Sequence, residues 1–221
     1  MNDNIELAAL LRAQVQRHHV ATAACPVPPP AAPLTWIVAA NGTFVRGANP
    51  TREVIVQVDR HRSVMPDLAP LAAGVRWPGY GSRLPGRLLW RALDHARQAV
   101  DRHGAPVEQQ YWITDRGAGL TLIRPPQLAT ATRVVTPRLD LPILADIHSH
   151  HAMAASFSAT DTADDALQLG VSVVIGTIFT QPTMRVRLTV YGWLQDVPAP
   201  SVFDDLEPFH DLFGGSDDAG A

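Results

Sequence analysis

The chain has 221 residues, 46% of them hydrophobic, with a formal net charge of −3 and one cysteine, Cys25. That length suits one medium domain, or a domain plus a small module, with a real apolar core. The charge argues against a general nucleic-acid binder, whose footprint is strongly basic, and a lone cysteine excludes a disulfide framework or a Cys-rich zinc site within one chain.

In chain order, apolar positions at Ile5, Leu7, Ala8, Leu10, Leu11 and Val15 predict an amphipathic leader helix over 5–18. This opening lacks the basic region and long apolar run of a signal peptide, and nothing downstream approaches the ~20 apolar residues of a membrane span. A cytoplasmic protein is therefore expected. "CPVPPPAAP", Cys25 to Pro33, reads as a semi-rigid linker that closes a 1–33 leader segment. Asn41-Gly42, between two β-rich runs, predicts a hairpin, and alternating Val54, Val56 and Val58 predict a third strand. These form an expected small β-rich module over 34–80, punctuated by "WPGYGSRLPG".

From Arg87 the period changes. Leu88, Leu89, Ala92, Leu93, Ala96, Ala99 and Val100 define one face of a helix expected to end near Gly104. "VEQQYWIT", "GLTLIRP" and "ATRVV" read as strands, and "LPILADIHSH" reads as a buried strand that delivers histidines at its end. "SATDTADDALQLG" reads as a helix opening at Ser158, followed by strands "VSVVIGTIFT" and "MRVRLTVYGWL". The segment 199–221 reads as an acidic flexible tail, expected to fray from Phe203 onward.

The chemistry concentrates in "DIHSHHAMAASFSATD", Asp146 to Asp161. Residues two apart on a strand face the same way, so His148 and His150 would meet at one point. Each alone is open to the ordinary reading of a hydrogen-bonded core histidine; as a pair at a strand end they point to a metal. Ser158 and Asp161 fit a capping box. Asp164 and Asp165 are expected early in that helix, where its dipole favours acids. A helix start facing the histidine strand could also offer Asp161 as a third ligand. Two imidazoles and a carboxylate leave one tetrahedral position open, the pattern of a catalytic zinc site. Hydrolysis there still needs a carrier to bring a proton to the leaving group. The chain has four glutamates. Glu6 lies in the leader and Glu207 in the tail. Glu53 starts a strand of the amino-terminal module, whereas Glu108 starts the strand after the long helix, in the same predicted domain as the ligands, and is preferred.

These residues resemble the JAMM metalloprotease family, the MPN+ or JAB domain. Its pattern is a Glu, then His-Ser/Thr-His, seven residues, and Ser-x-x-Asp. Here His148-Ser149-His150 is followed by seven residues and then Ser158-Ala159-Thr160-Asp161. The resemblance covers about Leu84 to Gln195. It implies an α+β fold, a mixed sheet flanked by helices of the α/β/α MPN type, as a metalloprotease domain over 84–198. It further implies one zinc ion per chain held by His148, His150 and Asp161. Glu108 would be the base that activates water and protonates the amine, and Ser158 the donor to the oxyanion. Family members cleave peptide or isopeptide bonds after the carboxy-terminal tail of ubiquitin or a ubiquitin-like protein, which commonly docks as an added strand. The overall layout is also similar to the PRTRC system A proteins of bacteria. Their operons encode a ubiquitin-like protein and a ThiF-like activating enzyme, the partners this likeness implies. Two departures stand out: His151 replaces the usual Pro, and "EQQYWIT" lacks the Cys and Gly that commonly follow the family's Glu.

Other readings are weaker. "DIHSH" also resembles the opening of PHP phosphoesterases, but 71 residues after His150 fall far short of the roughly 200 a barrel needs. A zinc-stabilised scaffold that binds a ubiquitin-like protein without cleavage would not need the full set of catalytic residues. A plasmid-maintenance or DNA-associated role would use the nine arginines between Arg52 and Arg102, which read more simply as a solvated face. The absence of lysine fits a GC-rich genome, though avoidance of lysine-modifying chemistry would leave the same mark.

Overall fold

The structure is a computed structural model that describes residues 17–27, 32–117, 119–137 and 141–213. The expected leader helix lies outside these residues except at its end, where Arg17 and His18 are strand. The fold is mixed α+β with a β-rich amino-terminal sheet, and contacts divide it into two compact units.

The first unit is built on a five-stranded sheet of order β1-β2-β3-β4-β5. Its strands are β1 Arg17–Val20, β2 Leu34–Ala39, β3 Gly42–Asn49, β4 Arg52–Asp59 and β5 Gly74–Arg76. The predicted hairpin forms one residue early: Ala39 pairs Gly42, so Ala40 and Asn41 make the turn and Gly42 opens β3. Gly42 is required because it has φ +145° and a Cβ there would sit 2.2 Å from the Asp59 carbonyl oxygen. β1 joins as an unpredicted edge strand, parallel to β2. Ala21, Ile37, Ala39, Phe44 and Ile55 make a small core, with Val27 and Leu71 packed on it.

In the second unit, helix α1 (Arg87–Arg97) buries Leu88, Leu89, Ala92, Leu93 and Ala96, the stripe expected of an amphipathic helix. It ends seven residues before Gly104. Asp101 turns the chain instead: its Oδ1 accepts the amides of His103 and Ala105, and its own N–H donates to the Ala105 carbonyl. The remaining strands, of which the stretches within Ser158–Gly170 and Arg187–Gln195 count with the first unit, are β6 Gln110–Asp115, β7 Leu120–Ile123, β8 Leu128–Ala129, β9 Val134–Val135, β10 Ile143–Ser149, β11 Leu169–Gly176, β12 Thr183–Val190, β13 Trp193–Val197 and β14 His210–Asp211. Seven of them form a sheet of order β13-β12-β11-β10-β6-β7, with β14 on β12, while β8 and β9 form a separate ribbon. β10 runs antiparallel to β6 and parallel to β11, which is buried along its whole length.

Two expectations are corrected here. The run Met184–Leu194 is two strands, broken at Tyr191 (φ 45°) and Gly192 (φ 99°), the paired positive φ of a tight hairpin turn. The acidic tail does not fray before Phe213. Phe203 is fully buried, Phe209 nearly so, and β14 pairs β12. The Gly86 N–H donates to Asp204 Oδ1 at 2.7 Å, and a Cβ at Gly86 would sit about 2 Å from the Asp204 and Asp205 carbonyl oxygens. The apolar residues inside the acidic run override its charge. No helix among the described residues is long and apolar enough to cross a membrane.

Candidate metal centre

β10 carries His148 opposite Gln110 on β6 and beside Val174 on β11. Ser149 is fully buried, its Oγ accepting the Gln109 N–H at 3.1 Å while its own N–H donates to the Gln109 carbonyl. The strand ends there, yet the His150 N–H still donates to the Ile175 carbonyl at 2.8 Å, which carries the alternation one residue further. The two imidazoles consequently stand together, ring centroids 5.0 Å apart, with Phe157 edge-on to His148. His148 and His150 share a side, as period two requires.

The loop that follows is pinned to the end of β11. The Thr177 N–H donates to the Met153 carbonyl, the Ile178 N–H to that of His151, and the Met153 N–H to that of His150. His151 sits at φ 31° in this loop, as its reading as a loop residue requires, but it is buried. Burial pushes its pKa down, and its Nε2 has no hydrogen-bond partner among the described residues.

Helix α2 (Ala159–Asp165) begins at Ser158, whose extended backbone and side chain make a complete capping box. Ser158 Oγ accepts the Asp161 N–H at 3.2 Å, and Asp161 Oδ2 accepts the Ser158 N–H at 2.7 Å. One carboxylate oxygen of Asp161 is thereby fixed by the backbone, and Oδ1 takes no part in the box. The helix is shorter than the sequence suggests, so Asp164 and Asp165 occupy its last turn and not its first. The expectation that its dipole favours them is therefore wrong.

One ligand atom from each of His148, His150 and Asp161 lies within 4.8 Å of the others. Two imidazole nitrogens and a carboxylate oxygen at such spacing suit a tetrahedral zinc ion with one position left open. Glu108 is buried, its backbone N–H donating to the Thr130 carbonyl, and its Oε1 lies 4.0 Å from His150 Nε2. Glu53, the other candidate base, belongs to β4, where its charge favours the protonated form of the buried Arg46 against the cost of burial. Glu6 lies outside the described residues.

Sequence reasoning missed one polar pair on this face. Asp146 precedes His148 by two, and Gln110 Nε2 donates to both its carboxylate oxygens, at 2.9 and 2.7 Å. Asp-x-His-x-His alternation was a signal for Asp146. Nothing local marks Gln110, which reaches it across strands.

A His-x-His strand end and a capped Ser-x-x-Asp helix on a mixed α+β fold place three side chains in position for a metal ion. Residues 85–190 match the family model Prok-JAB, prokaryotic homologs of the JAB domain, which supports the resemblance of this segment to the JAMM/MPN family. JAB domains are typically metal-dependent hydrolases, usually with zinc, although prokaryotic members include inactive ones. No curated protein matches the chain.

Proposed function

We propose that the protein is a zinc-dependent peptidase or isopeptidase that cleaves after the carboxy-terminal tail of a ubiquitin-like protein, processing a precursor or reversing a conjugate. The observation that carries this reading is the meeting of three ligand atoms within 4.8 Å, with the Glu108 carboxylate 4.0 Å from the ligand His150. A scaffold needs no buried carboxylate at that position.

His148, His150 and Asp161 would hold the ion. When bound, zinc supplies a Lewis acid for the scissile carbonyl and a water-derived nucleophile near neutral pH. Glu108 takes the proton from the attacking water and returns it to the departing amine, so the peptide C–N bond breaks with a neutral leaving group. Ser158 Oγ uses a lone pair on the Asp161 N–H, which leaves its own proton to donate to the oxyanion. The substrate tail adds as an extended strand, bound through main-chain hydrogen bonds. The expected partners are the ubiquitin-like protein and a ThiF-like enzyme that activates it, in a bacterial cytoplasm.

The test is zinc content of the purified protein beside Asp161→Ala, followed by incubation with a ubiquitin-like protein extended at its carboxy terminus. About one zinc per chain, weakened in the variant, and release of the extension support the reading. Bound zinc with no cleavage of any such substrate leaves a binding scaffold. Absence of zinc after reconstitution overturns both.

A further inference from the structure

Helix α2 has seven residues, well under the ~12–15 at which an isolated helix becomes even marginal in water. Its capping box holds the amino end. The carboxy end is the difficulty. Asp164 and Asp165 fill the last turn, which contains no basic residue, and acids there meet the negative pole of the helix. Asp165 is also buried, at 5% exposure, so water screens it little.

Arg187, on β12, answers this from outside the helix. Its Nη1 lies 3.6 Å from Asp165 Oδ2 and donates to Thr162 Oγ1 at 3.1 Å, with the two charged side chains 13% and 7% exposed. Thr162 directly follows Asp161, and Asp165 stands one helical turn beyond it on the same face. The two contacts therefore hold the helical turn that directly follows Asp161. We infer that Arg187 is a positioning residue for the metal centre, holding Asp161 in place by clamping α2 through Thr162 and Asp165. This rests on the zinc reading for its purpose but not for its geometry. A zinc ligand must sit within ~0.2 Å of its ideal distance, a tolerance that a two-turn helix does not keep unaided.

The test uses the full-length chain and three variants: Arg187→Met, Arg187→Lys, and Arg187→Met with Asp165→Leu. The last replaces the ion pair by apolar groups, a change that commonly preserves stability. Three quantities are read: the zinc dissociation constant by chelator competition, the visible spectrum of the cobalt-substituted protein, and amide exchange over residues 159–166 of the metal-free protein. Arg187→Met is expected to weaken zinc binding about 10- to 100-fold, as loss of a support behind a metal ligand does, with an altered cobalt band and faster exchange in α2. Arg187→Lys should recover most of the affinity, and the double variant should recover the urea midpoint but not the affinity. Wild-type zinc affinity in Arg187→Met, or its full return in the double variant, would overturn the inference and leave the pair a purely stabilising role. If the wild type binds no zinc, the functional reading fails separately. The exchange measurement then decides the clamp: faster exchange in Arg187→Met supports it, and unchanged exchange refutes it.

Discussion

Gly176→Ala perturbs the metal centre without touching a ligand. Gly176 ends β11, and a Cβ there would lie 2.3 Å from the Ala155 nitrogen, 2.4 Å from the Met153 carbonyl oxygen and 2.5 Å from the Ala154 carbonyl carbon. All three are backbone atoms, so no side chain can swing aside; the loop must retreat by about 1 Å to reach ordinary contact. The same loop is tied to the site by the Thr177 N–H on the Met153 carbonyl and the Met153 N–H on the His150 carbonyl, at 2.7 and 2.8 Å. Overpacking costs ~1–3 kcal/mol and a lost hydrogen bond ~0.5–1.5 kcal/mol, so a loss of about 2–4 kcal/mol is expected. For a chain of this size that lowers Tm by about 4–16 °C. Urea unfolding should show a lower midpoint at unchanged slope, and chelator competition should show weaker zinc binding, because His150 shares the displaced backbone. A Gly176→Ala protein with wild-type midpoint and wild-type zinc affinity would refute the reasoning, since it would mean the loop is not pressed against β11.

Glu108→Gln keeps a side chain of the same size but removes the proton acceptor. Hydrolysis should fall ~10²- to 10⁴-fold while zinc content stays at the wild-type level; unimpaired turnover would move the base elsewhere, Glu53 first. Tyr111 is almost fully buried, and burial pushes its phenol up to about 12, Arg124 opposing the shift in part. The unfolded chain ionises this group near pH 10 and the native chain only near pH 12, so its contribution is intact below pH 10 and is lost as pH rises from 10 towards 12. Its hydroxyl has no hydrogen-bond partner among the described residues. Tyr111→Phe should therefore cost nothing at pH 7 and flatten the alkaline loss, measured as urea midpoints at pH 8 and pH 10.5. An equal alkaline drop in both proteins would assign the loss to another group.

What the sequence disclosed was what local rules govern. The histidine pair was readable because strand alternation needs only neighbouring residues, and the capping box because it spans four. The start of α2 was legible for that reason. Its end was not: Leu169 and Gly170, which continue the helical pattern, are taken up by β11, so sheet pairing overrides propensity. Asp164 and Asp165 were misplaced with it, and the use of Arg187 was invisible because Arg187 lies more than twenty residues from its partners. α1 was overextended since Ala99 and Val100 keep its period, although Val100 is more than half exposed. The tail was misjudged by averaging: Phe203 and Phe209 are two residues in an acidic run, and their burial decides it. β1 could not be anticipated beside a proline-rich stretch, because its strand partner among the described residues, β2, lies nearly twenty residues on.

The placement of β10 also sets an order of events. The strand that bears His148 and ends just before His150 is flanked by β6, about thirty residues earlier, and by β11, which it meets in parallel only after the chain has crossed over through residues 150–168. Parallel pairs require such a crossover, and contacts of long sequence separation form slowly. Until both neighbours dock, His148 and His150 have no fixed spacing. An ion held by the proposed ligand set would therefore bind a sheet already closed. Zinc at the site proposed above would then lengthen the life of the native state, by binding it in preference to the unfolded chain.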